Sequence, residues 1–226
     1  MQLISNKEIV DVIRYTDHSA IIVEKIPLPN TNQYKAQYSV VDFENNSVDI
    51  LTKSAYLLKK FGSKYEAISN AMPNFVQCDA AILYDRRVLV IFPNGEAGIF
   101  DREGELEWNG RFEYHDNPTK SLALEGKYFW SVCPEENCVI RYFSQNMKLD
   151  LRIGSKDAQT FVSPTHISCA DGDLYVCCDS NKVRKINKDD YTVSDYLNFT
   201  DNIKRFYKIG DWSVAVMKSG TYVLEN

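Results

Sequence analysis

Two stretches of this chain share one pattern. Residues 61–78 begin Phe61-Gly62-Ser63-Lys64-Tyr65 and continue to Pro73 and Cys78; residues 153–169 begin Ile153-Gly154-Ser155-Lys156-Asp157 and continue to Pro164 and Cys169. Both run on into an apolar strand, a polar turn and a second strand. A weaker copy starts at Pro118, with Ala123 in the place of the cysteine. Recurrence of one supersecondary unit every 40 to 50 residues or so marks a repeat architecture, because each unit can bury its apolar face only against its neighbours.

Four apolar runs have like surroundings: Val88–Phe92, Tyr128–Cys133, Leu174–Cys178 and Trp212–Val216. A turn follows each, and then a second run: Ala97–Asp101, Val139–Phe143, Val183–Asn187 and Tyr222–Glu225. Strand, polar turn, strand is a hairpin signal. Adding the strand after each proline and a further outer strand gives four antiparallel strands per unit, which is a propeller blade. The first unit is read as Ile9–Tyr15, Ala20–Ile26, Tyr38–Phe43 and Val48–Leu51. A rival register would make Tyr56–Phe61 its outer strand and move Ile9–Tyr15 into the closing blade. The expectation is an all-β, five-bladed β-propeller over residues 1–226, with Thr52–Met72 as an inserted helix or long loop. The last unit stops short of its outermost strand, and the N-terminal Gln2–Ser5 is expected to supply it, since an unpaired blade edge is an aggregation risk.

The segment Phe161-x-x-Pro164-x-x-Ile167, followed by Asp171-Gly172-Asp173-Leu174-Tyr175-Val176, Asp179-Ser180-Asn181, Val183 and Ile186, resembles an NHL repeat. It departs from the usual pattern by an inserted Cys178 and by lacking a glycine before Asn181. The resemblance covers about one blade and implies the propeller fold. It transfers no catalytic residue, because NHL-like propellers serve binding and enzymatic roles alike, and function belongs to a site rather than a fold.

Composition narrows the partners. The formal charge is −5, and no cluster of Lys and Arg exceeds a scatter such as Lys182–Lys185, so nucleic acid is not an expected partner. No apolar stretch approaches a membrane span, and Met1–Ser5 lacks the features of a signal peptide. The expected location is the cytoplasm, with the six cysteines as free thiols. Cys133 and Cys138 should face each other across a hairpin. Cys78 and Cys169 should serve as small packing groups on innermost strands, and Cys177 and Cys178 should point to opposite faces of one strand.

Candidate chemistry lies on one rim, where outer strands return to inner ones. His115 and His166 fall on such connections. The expected binding residues are Tyr34, Tyr65, His115, Asp116, Glu135, His166 and Asp179, and the resulting function is a non-catalytic propeller presenting this rim to a protein, peptide or small ligand. No cofactor is expected. One alternative is a metal-dependent hydrolase of the gluconolactonase-like kind, with a divalent ion held by His115, Asp116, Asn117 and His166. Another is a glycan-binding propeller using tyrosines in connections, Tyr34, Tyr65 and Tyr114, while most aromatics fill the core. Asp11 and Asp79 fall near the starts of innermost strands, but the sequence offers neither a partner. Phosphate loops, serine elbows and HExxH motifs are absent.

Overall fold

The structure is a computed structural model that describes residues 1–30, 34–50, 79–101 and 103–225. Its strands form five four-stranded antiparallel sheets arranged in sequence. β1 (Gln2–Ser5) is set aside for the last sheet. Blade 1 is β2 (Ile9–Thr16), β3 (Ser19–Pro27), β4 (Tyr34–Asp42) and β5 (Ser47–Ile50); blade 2 is β6 (Asp79–Ile82), β7 (Val88–Ile91), β8 (Glu96–Phe100) and β9 (Leu106–Arg111). A two-stranded hairpin, β10 (Glu113–Tyr114) and β11 (Asn117–Pro118), precedes blade 3, which is β12 (Lys120–Glu125), β13 (Tyr128–Cys133), β14 (Cys138–Phe143) and β15 (Leu149–Gly154). Blade 4 is β16 (His166–Ala170), β17 (Asp173–Cys178), β18 (Lys182–Ile186) and β19 (Val193–Asn198). Blade 5 is β20 (Ile203–Ile209), β21 (Trp212–Met217) and β22 (Gly220–Glu225), completed by β1.

Gln2, Leu3 and Ser5 of β1 face Val223, Tyr222 and Thr221 of β22, so the N-terminal strand closes the ring. Glu24 on β3 reinforces the closure. Its buried carboxylate accepts from the Ser5 hydroxyl at 2.7 Å, from Lys7 Nζ at 2.9 Å and from Gln37 Nε2 at 3.1 Å. Charged partners make such bonds roughly twice as strong as neutral ones.

The apolar core divides into five clusters, one per blade interface. Leu89 and Ile99 of blade 2 meet Phe129 and Ile140 of blade 3. Trp130 and Val139 meet Ile167 and Val176, Tyr175 and Cys177 meet Phe206 and Ala215, and Val214 and Val223 meet Ile22 and Phe43. Val10 and Val23 meet Val88 and Phe100. The fully buried Trp130, Phe43, Phe129, Phe161 and Phe206 confirm that aromatics fill the space between blades. Each such side chain contributes on the order of 1.5–3 kcal/mol by leaving water.

The favoured register of blade 1 holds, and the rival is excluded because Ile9–Thr16 pairs with β3 of the same blade. Blade 1 differs from expectation in its hairpin. β4 begins at Tyr34, which faces Pro27, so nine residue pairs link β3 and β4. Tyr34 therefore opens a strand instead of lying in a connection. Thr52–Met72 lies outside the described residues, as do Tyr65 and Cys78.

The repeat motif has a steric reason. Gly154 ends β15 at φ +88, and a Cβ there would stand 2.7 Å from the Asn137 carbonyl oxygen and 2.9 Å from the Phe161 ring. Only glycine lets the outer strand turn beneath both groups. A second local detail corrects the alignment of Ala123 with Cys169. Counted from their two-residue hairpin turns, Glu125 faces Tyr128 as Ala170 faces Asp173, so Leu124 matches Cys169 and Ala123 matches Ser168. A bulge between Lys120 and Ala123, with Ser121 at φ +63, inserts the extra residue.

Candidate functional site

The five innermost strands β2, β6, β12, β16 and β20 surround a central channel of about 370 Å3. Among the described residues, neighbouring blades share no ladder hydrogen bonds, and polar side chains stitch the inner strands together. The bulge at Ser121 supplies two of these links. Ser121 Oγ accepts from the Ile167 amide at 3.2 Å, joining β12 to β16. The Leu122 amide donates to Asp79 Oδ2 at 3.3 Å, joining β12 to β6. Ser168 Oγ donates to the Phe206 carbonyl at 2.6 Å, and the Phe206 amide donates to His166 Nδ1 at 3.4 Å, joining β16 to β20. Tyr207 donates its hydroxyl to Asp11 Oδ1 at 3.3 Å, joining β20 to β2.

Among the described residues, two ion pairs cross between non-adjacent blades: Arg14 on β2 reaches Asp171 in the β16–β17 turn at 3.2 Å, on the exposed side, and the other is buried. Arg205 on β20 places Nη1 2.7 Å from Asp79 Oδ1 on β6, with the two side chains 18% and 12% exposed. The ion pair lies at the junction of the channel and a mouth chamber of about 220 Å3, where the inner strands begin. Asp79, His166 and Arg205 line both spaces.

Burial alone would raise the Asp79 carboxyl, but the Arg205 charge outweighs it. With help from His166 and the Ser121 hydroxyl, the carboxyl is held down at about 2. The His166 side chain responds in the opposite sense. It is 3% exposed, and burial together with the Arg205 charge lowers it to about 3 against the pull of Asp79 and Asp11. His166 is thus neutral at pH 7. Because Nδ1 accepts from Phe206, its proton sits on Nε2. Burial and the nearby Asp11 raise the Tyr207 phenol well above its ordinary value. Burial also lifts the Cys169 thiol to about 11.

The rim residues expected from sequence do not form one group. His166 opens β16 inside the channel, so its placement on an exposed connection is corrected: the strand starts two residues after Pro164 and carries the ring inward. His115 and Asp116 form the two-residue turn between β10 and β11, at φ 49 and 63. Two successive positive φ values describe a type I′ hairpin, and His and Asp are among the side chains that tolerate it. His115 stacks on Tyr114 at 4.0 Å and places Nδ1 3.5 Å from Glu136. Asn117 Nδ2 and Lys156 Nζ each donate to the same Glu136 oxygen at 2.8 Å. Glu135 stands exposed beside Glu136 in the short 3-10 turn Pro134–Glu136. Asp179, in the β17–β18 turn, pairs with Lys182 at 3.0 Å. The side chain of Tyr34 and all of Tyr65 lie outside the described residues.

The metal set His115, Asp116, Asn117 and His166 is likewise divided: the first three belong to the hairpin before blade 3, and His166 belongs to the channel. Among the described residues, no group of three or more His, Cys, Asp and Glu side chains stands close enough to share an ion. Cys133 and Cys138 face each other across the β13–β14 hairpin as the spacing indicated, both as buried free thiols.

The channel side chains Arg205, Tyr207 and Ser121 escaped the sequence reading. The strand Ile203–Ile209 carries three cations, Lys204, Arg205 and Lys208, so the sequence did not single out the one that turns inward. The bulge that orients Ser121 and Leu122 had no sequence signal.

No family model matches the sequence, and no curated protein matches it. Solved structures match in fold. Hydrazine synthase of Kuenenia stuttgartiensis aligns with a TM-score of 0.51 at 12% identity, over 65% of this chain and 45% of that one. Dihydro-heme d1 dehydrogenase NirN aligns at 0.50 and 12% identity, over 95% of this chain and 40% of the other. The computationally designed protein Ika4 aligns at 0.49 and 11% identity, over 65% of this chain and 88% of its own. The chain thus spans less than half the length of the two natural proteins. At such identities the likeness is of the propeller fold, and the NHL resemblance stands at that level too. Among the described residues, no helix is long and apolar enough to cross a membrane.

Proposed function

We propose that this protein is a non-catalytic binding propeller that takes a small polar ligand into its central channel. One observation carries the proposal: the inner strands line an open space of about 370 Å3 with Asp11, Asp79, His166, Ser168, Arg205 and Tyr207, where apolar side chains could have closed it. A concave space with a few convergent polar groups is the usual form of a ligand site.

The states of these groups favour binding over catalysis. His166 is neutral, and its Nδ1 is occupied by the Phe206 amide. Ser168 spends its proton on a carbonyl, and Cys169 stays a thiol at neutral pH. A nucleophile needs an adjacent base or a lowered pKa, and none of these three has either. Of the described rim candidates, His166 contributes to this channel. A cytosolic setting for the protein is part of the same proposal.

A screen of small polar compounds by ligand-observed NMR tests it, run in parallel on wild type and Ala80→Phe. Ala80 lines the channel and borders the core between blades 1 and 2; a phenyl ring there adds bulk at the channel wall without removing a side-chain hydrogen bond, and circular dichroism and the melting temperature confirm that the variant is folded. Hits that lose binding in the variant support the proposal. Hits that bind both forms equally contradict it.

A further inference from the structure

The chamber above the Asp79–Arg205 pair brings two unpaired cations to one enclosed space. Many cations elsewhere are neutralised at close range, and others without an ion pair among the described residues, such as Lys127 and Lys148, do not line this chamber. Arg14, Arg87, Arg111, Arg141 and Arg184 each have a carboxylate partner, as do Lys25, Lys156, Lys182 and Lys185. Lys120 and Lys204 line the mouth chamber, and neither has an ion pair among the described residues. Arg205 is beside them, and Asp79, the acid lining this chamber, is already committed to it. A groove of about 440 Å3 between blades 5 and 1 shares Lys204 with the chamber and adds Lys218, which has no ion pair among the described residues, while Lys7 there is held by Glu24 and Glu8 by Lys25. A chain of net charge −5 therefore gathers unneutralised positive charge at one mouth of its channel.

We infer that this mouth binds the phosphate of a small phosphate monoester, with Lys120 and Lys204 as its charge partners and the remainder of the molecule directed into the channel. The inference rests on the channel being the ligand site. Phosphate is favoured over a carboxylate by the kind of cation available. A planar carboxylate is best matched by the fork of an arginine, and Arg205 has already turned its guanidinium to Asp79. Lysine ammonium groups are compact point charges, and two of them flanking a chamber suit a tetrahedral dianion.

The test uses the full chain at pH 7.5 with inorganic phosphate as the probe and succinate at matched ionic strength as the comparison, each titrated calorimetrically. Phosphate should bind saturably and more tightly than succinate. Lys120→Gln combined with Lys204→Gln should weaken it at least tenfold, while Lys127→Gln, on the opposite hairpin turn of blade 3, should leave it unchanged. Circular dichroism and the melting temperature confirm that each variant is folded. Saturable phosphate binding that the double variant leaves intact, no saturable binding, or succinate binding as tightly as phosphate would each overturn the inference. Its failure is separable from that of the channel proposal. Loss of the phosphate site leaves compound hits sensitive to Ala80→Phe unaffected, and hits that ignore Ala80→Phe contradict the channel whatever phosphate does.

Discussion

His166 gives the sharpest test of the buried channel. Its imidazole is held at about 3 in the fold against an ordinary value of 6.5, first by burial and then by the Arg205 charge. Below pH 6.5 the unfolded chain takes up a proton at this position that the folded chain refuses. Stability is therefore complete above pH 6.5 and is lost progressively as pH falls towards 3. One pH unit within that window is worth about 1.4 kcal/mol, so the imidazole alone should cost about 2 kcal/mol between pH 7 and pH 5. For a chain of this size that is a fall of about 4–8 °C in Tm. Asp79 does not blur the measured range from pH 7 to pH 5, because its carboxyl takes up its proton near 3.8 when unfolded and near 2 when folded, both below that range. The perturbation is His166→Asn, whose amide oxygen can accept from the Phe206 amide where Nδ1 did. It loses the edge contact of the ring with Tyr207 and should cost about 1–2 kcal/mol at pH 7. Denaturant unfolding at half-unit steps from pH 7 to pH 5 should then show a sloping wild type and a nearly flat variant. A flat wild type, or a variant with the wild-type slope, would refute the assignment of His166 as a buried neutral base.

Three further outcomes follow from named contacts. Arg205→Met should destabilise by about 3–5 kcal/mol in urea unfolding, because Asp79 keeps its charge without a cation, and adding Asp79→Asn should recover part of that loss; equal stability of the two variants would remove the pair from the account. Deleting residues 1–6 strips β22 of its partner strand and Glu24 of the Ser5 hydroxyl, so the melting temperature should fall by about 4–8 °C, corresponding to about 2 kcal/mol, and an unchanged midpoint would contradict N-terminal closure. Cys133, Cys138, Cys177 and Cys178 are buried free thiols, so a thiol reagent should modify them slowly in the native protein and at once after denaturation without reductant; Cys133 and Cys138 still protected after denaturation would show that they are bonded to each other.

The fold was legible where local and global signals agree. Each blade repeats a two-residue or short polar turn between apolar runs, and the missing outer strand after Glu225 pointed to Gln2–Ser5. Boundaries failed where the pattern breaks: Tyr34 extends a strand beyond its apolar part, and the extra residue at Ser121 is invisible to spacing from Pro118. The site was less legible because it is made by closure. Asp79 and Arg205 stand 126 positions apart and meet only across the finished channel. Asp11 meets Tyr207 because the last blade packs on the first. His115 drew notice as a histidine in a loop, yet its backbone at φ 49 shows a turn-former. His166 was singled out for its chemistry and placed one structural layer too far out.

The central claim is that the channel formed by the five inner strands receives the ligand. Amide chemical-shift mapping with a compound from the polar screen tests it most directly. The account predicts the largest shifts at Asp11, Asp79, His166, Ser168, Arg205 and Tyr207, with outer strands such as Leu149–Gly154 and Val193–Asn198 silent. Shifts confined to those outer strands, with the inner-strand amides unmoved, would contradict it.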